Sequence, residues 1–152
     1  MKLAEALQER ADLNRQIEQL KSRLGNNVLK QEGEPPVEDP AKLKKELDGS
    51  IERLEHLICS INLTNCKTTV NGKTLTELIA QKDMLTLKIS AYKEVVNIAG
   101  QTAYRARGTE IKIQSSVSVP DWQKQIDKMA KELRSLDNLI QETNWKHELI
   151  EV

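Results

Sequence analysis

Apolar side chains recur along this chain at alternating steps of three and four, the spacing of an amphipathic helix. The first row is Leu3, Ala6, Leu13, Ile17, Leu20 and Leu24, with Arg10 standing where it would take another Leu. It predicts a helix over 3–24, closed by Gly25-Asn26-Asn27, whose side chains tolerate the left-handed conformation at a helix end. A polar connection over 26–40 carries Gly33, Pro35, Pro36 and Pro40. It ends in Asp39 as N-cap and Pro40 as first helical residue. The second row, Leu43, Leu47, Ile51, Leu54, Leu57, Ile58 and Ile61, predicts a helix to about Asn65 that folds back on the first.

Asn71-Gly72 lies between Thr68-Thr69-Val70 and Lys73-Thr74-Leu75, the residue pair that best fits a tight hairpin turn. Thr74 and Glu77 then fit a capping box. The third helix uses Leu75, Leu78, Ile79, Leu85, Ile89, Tyr92 and Val96, and ends near Gly100 or before Tyr104 to Gly108. Residues 110–119 alternate polar and apolar side chains and predict a strand. Pro120 opens a fourth helix through Trp122, Ile126, Met129, Leu133, Leu136, Ile140 and Thr143.

The two halves resemble each other. Shifted by 79 positions, Asp48 falls on Asp127, Leu54 on Leu133, Leu57 on Leu136, Ile61 on Ile140, Thr64 on Thr143 and Asn65 on Asn144. Shifted by 72, Leu3 falls on Leu75, Glu5 on Glu77, Leu13 on Leu85, Ile17 on Ile89 and Arg10 on Lys82. The expectation is a mainly α fold: a duplicated long helical hairpin, four-helix and coiled-coil-like, with short β segments in its connections. It forms a single domain over 1–152, with internal repeats 1–67 and 73–152. Each helix of about 23 residues would span about 35 Å at 1.5 Å per residue.

Composition adjusts this picture in two ways. Two Trp, two Tyr and no Phe suit thin seams of Leu and Ile. Charged residues are 30% of the chain, and 23 basic against 23 acidic side chains cancel, so net charge selects no partner. Glu5, Glu9 and Arg10 interrupt any secretory stretch, and no run of about 18 apolar residues occurs, so the expectation is a cytoplasmic chain that does not engage a membrane. Cys59 and Cys66, seven positions apart on one helix, lie about 10 Å apart along its axis, too far for a disulfide. A zinc site would need more ligands.

Several residues carry candidate chemistry. Thr64-Asn65 and Thr143-Asn144 end two long helices, and pseudo-symmetry would bring them together as a polar or ligand site. Their ordinary use is local: Asn terminates a helix, and Thr bonds back to the preceding turn. Arg10 and Lys82 interrupt matching seams with Asp12 and Asp83 nearby, the composition of seam ion pairs that set register. Tyr104, Arg105 and Arg107 form a small cationic and aromatic cluster that would contact nucleic acid, weakly in a neutral chain. His56 follows Glu52 by four residues, but the Glu-x-x-His pairs of a di-iron bundle are absent. No catalytic residue, metal site or cofactor is assigned.

The opening Met1 to Leu13, Gln31-Glu32-Gly33-Glu34, Glu38-Asp39-Pro40, Ile61-Asn62-Leu63-Thr64-Asn65, Thr74-Leu75-Thr76-Glu77 and Thr143-Asn144-Trp145 together resemble the septicolysin-like family of small bacterial proteins. The resemblance implies a helical fold of unknown function without agreed catalytic residues. The family's name implies a pore-forming haemolysin, whereas this sequence has no amphipathic strand pair or helix apolar enough to enter a bilayer.

The function these observations favour is a non-enzymatic structural or interaction protein that assembles through its helical seams as a homo-oligomer, with any other protein partner unspecified. Two alternatives stay open: an RNA-binding or ribosome-associated helical module, and a small-molecule or metal-dependent enzyme using the Thr-Asn ends.

Overall fold

The computed structural model describes residues 1–102 and 111–152. The chain is mainly helical: α1 (Leu3–Gly25), α2 (Pro40–Lys67), β1 (Thr69–Val70), β2 (Lys73–Thr74), α3 (Leu75–Ala99) and α4 (Val119–Lys146). It divides into two compact units, Met1–Thr74 with Glu142–Val152, and Leu75–Gln141.

In the first unit α1 and α2 pack antiparallel, as the ion pair between Glu9 and Arg53 and the one between Arg23 and Glu38 require. On α1, Leu3, Ala6, Leu13 and Leu20 are buried, and Arg10, Ile17 and Leu24 are half-buried between them. On α2 the buried positions are Leu43, Ser50, Leu57, Ile61 and Thr64, with Leu47 and Leu54 half-buried. This corrects the expected row. Ile51 and Ile58 remain 47% and 40% exposed, because an alternating four-three step from Leu43 lands on Ser50 and Leu57. Ser50 enters the seam at little cost, since its hydroxyl donates to the Glu46 carbonyl at 2.9 Å. Leu3, Leu20, Leu57 and Ile61 are essentially water-free, each contributing about 1.5–3 kcal/mol of burial.

The connection between these helices is pinned at both ends. Asn27 donates through Nδ2 to the Arg23 carbonyl at 2.8 Å and accepts the Glu38 amide at 2.9 Å. Asp39 caps α2 by accepting the Ala41 amide at 3.0 Å, with Pro40 as the first helical residue. After α2, Thr69 pairs with Thr74 and Val70 with Lys73. Asn71 (φ 51°) and Gly72 (φ 80°) make the turn, both left-handed as a two-residue hairpin demands.

In the second unit Ile89, Ile126 and Met129 form the core, with Leu85, Tyr92, Val96 and Leu133 packed around it. Tyr92 lies against Trp122, ring centroids 4.8 Å apart at 47°. Lys82 of α3 bonds to Asp137 of α4, which sets the antiparallel register. Of the strand expected over 110–119, the described residues 111–118 keep only a single β-bridge residue, Lys112. Serine chemistry outweighs the alternating pattern there. Ser115 Oγ donates to the Val117 carbonyl at 2.8 Å and accepts the Val117 amide at 3.3 Å, turning the chain. α4 then starts at Val119, one residue before Pro120, and the Trp122 amide donates to the Ser118 carbonyl at 3.1 Å.

Candidate functional site

Both Thr-Asn pairs belong to the first unit, the second through the last turn of α4. Thr64, Thr143 and Asn144 are buried, and Asn65 is half-buried. The chain following α4 runs back to Thr64. The Thr143 carbonyl accepts the His147 amide at 3.1 Å and stands 3.0 Å from His147 Nδ1. Three residues on, the Ile150 amide donates to Thr64 Oγ1 at 2.8 Å. Thr64 Oγ1 itself donates to the Ser60 carbonyl at 2.8 Å, which is the local bond expected of a helical Thr.

Two further contacts complete this strap. The Val152 amide donates to Ser60 Oγ at 3.3 Å, and that oxygen lies 3.3 Å from His56 Nδ1. Opposite α2 the strap pairs with the start of α1. The Leu3 amide donates to the His147 carbonyl at 2.9 Å, and the Leu149 amide to the Met1 carbonyl at 2.8 Å, so Lys2 and Glu148 form an antiparallel bridge. Lys2 Nζ lies 2.6 Å from the Glu148 carboxylate, and with the chain's amino group it holds that carboxyl below its usual range. The Thr64 hydroxyl, one of those the sequence offers to a ligand, thus holds a backbone amide of the chain itself. His56, the candidate metal ligand beside Glu52, points to Ser60, and among the described residues no three His, Cys, Asp or Glu could share a metal ion.

The seam charges are arranged differently from the sequence expectation. The cross-helix pairs are Glu9 with Arg53, through Nε at 2.7 Å and Nη2 at 2.9 Å, and Lys82 with Asp137. Arg10 is half-buried, Asp12 pairs with Arg15 on its own helix, and Asp83 is exposed. The Arg53 guanidinium lowers the Glu9 carboxyl, mainly by hydrogen bonding, and Lys82 does the same to Asp137. The equivalence of Arg10 with Lys82 marked a position in the row, but not the partner on the facing helix. Tyr104, Arg105 and Arg107 lie outside the described residues.

A second surface went unremarked in the sequence. α3 carries apolar side chains on its outward side too: Met84 (60% exposed), Leu87 (61%), Val95 (36%) and Ile98 (61%). With exposed Ala80 and Ala91 they step by four, three, four, four and three, a helical row like the buried one. The signal was readable in those spacings. At about 100° per residue the two rows stand about 150° apart on the helix, so neither masks the other. The outward row runs into a groove of ≈ 340 Å³ between the end of α3 and residues 113–117, where Val95 and Ile98 face Ile113 and Val117. Cys59 and Cys66 are exposed free thiols on α2. No helix among the described residues is long and apolar enough to cross a membrane.

Residues 10–149 match the model of a family of unknown function (DUF6847). The chain is also similar to a solved structure, the crystal structure of a functionally unknown conserved protein from Corynebacterium diphtheriae, with 33% identity, 99% of each chain covered and a TM-score of 0.90. A search of curated proteins gave no match.

Proposed function

The chain belongs to the family of unknown function DUF6847, and on that premise we propose that it is a cytoplasmic, non-enzymatic interaction protein that assembles with copies of itself through the outward face of α3. One observation carries the proposal: Met84, Leu87, Val95 and Ile98 stand in a single helical row and remain in water. Scattered exposed apolar residues are ordinary, but a contiguous row of large ones marks a surface that another body covers. Covering Leu87 or Ile98, each 61% exposed, is worth on the order of 1–2 kcal/mol.

At the Thr-Asn ends the Thr64 hydroxyl is engaged with the Ile150 amide and neighbouring Ser60 with the Val152 amide, which favours this reading over a ligand site at Thr64. Septicolysin-like proteins, which the sequence resembles, have no agreed catalytic residues to carry over, so the proposal rests on the helix face. We further propose that the α1–α2 and α3–α4 hairpins derive from one duplicated hairpin; α2 and α4 are each 28 residues long.

Light scattering on the purified protein tests the assembly. The expected outcome is a mass above that of one chain, rising with concentration through the micromolar range. A constant monomer mass would overturn it.

A further inference from the structure

We draw no further inference here: the strongest candidate, the apolar groove between the end of α3 and residues 113–117, belongs to the outward face of α3 already described and carries nothing more, because nothing in the structure shows what covers it.

Discussion

Thr64 Oγ1 accepts the backbone amide of Ile150 at 2.8 Å, joining residues 86 positions apart in the chain. Thr64 is fully buried, so this bond and its own donation to Ser60 are made away from water. Thr64→Val keeps the shape and removes both bonds, leaving the Ile150 amide without its acceptor. The expected loss is about 1–3 kcal/mol of stability. Amide exchange at Ile150 should accelerate well beyond the change seen in mid-α1, and Thr64→Ser should restore most of the protection. Unchanged exchange at Ile150 in Thr64→Val would contradict the strap.

Glu9 and Arg53 form the charged crossing of α1 and α2, both partly exposed. Because Arg53 lowers the Glu9 carboxyl in the folded chain, the unfolded chain takes up that proton at a higher pH than the folded one. The pair therefore contributes fully above Glu9's ordinary value of 4.5 and loses its contribution as pH falls through the lowered folded value. A double-mutant cycle with Glu9→Gln and Arg53→Met should give a coupling of about 0.5–1 kcal/mol at neutral pH and low salt. The coupling should shrink at the lowest pH at which the protein remains folded. A coupling independent of pH would assign it to packing of the Arg53 stem.

The Asn71-Gly72 turn offers a purely conformational test. Nothing lies within 4 Å of a Cβ built on Gly72, yet its φ is +80°. Gly72→Ala should therefore cost about 1 kcal/mol through backbone strain alone. Gly49, where a Cβ likewise meets nothing but the backbone is helical, should gain stability on replacement by Ala, by up to about 1 kcal/mol. Thermal or urea unfolding of the two variants measures this opposition of sign.

Leu57 and Leu87 have the same side chain and opposite surroundings, one without measurable exposure and the other 61% exposed. Leu57→Ala should cost about 2–5 kcal/mol. Leu87→Ala should change the stability of the single chain by no more than about 0.5 kcal/mol. Denaturant unfolding at low protein concentration compares them directly.

Much of the fold was legible because each helix repeats a four-three step that only one face can satisfy. Leu43, Leu57 and Ile61 fell on the seam, as did Leu3, Leu13 and Leu20. Asp39-Pro40 and Asn71-Gly72 were legible because their backbone requirements are local. Ile51 and Ile58 were misplaced because Ser50, a polar residue, holds the seam position between Leu47 and Leu54. Over 111–118 the alternation gave only a bridge at Lys112, because the Ser115 turn onto Val117 ends the extended run. Thr64 was noticed for its place at a helix end, but its engagement by the strap, like that of Ser60, depends on contacts 86 and 92 positions apart, which spacing does not encode. The outward row of α3 was present in the spacing of Ala80, Met84, Leu87, Ala91, Val95 and Ile98. It was passed over because the inward row already accounted for that helix.

Sedimentation equilibrium of the unmodified chain beside Leu87→Glu tests the role of α3 most directly, because it reads mass without fixing any contact. The unmodified chain should exceed the 17.3 kDa of one copy increasingly with concentration, while Leu87→Glu stays at that mass with its helicity and unfolding midpoint retained. Equal masses for the two proteins, whether both single or both assembled, would contradict the assignment of that face to self-association.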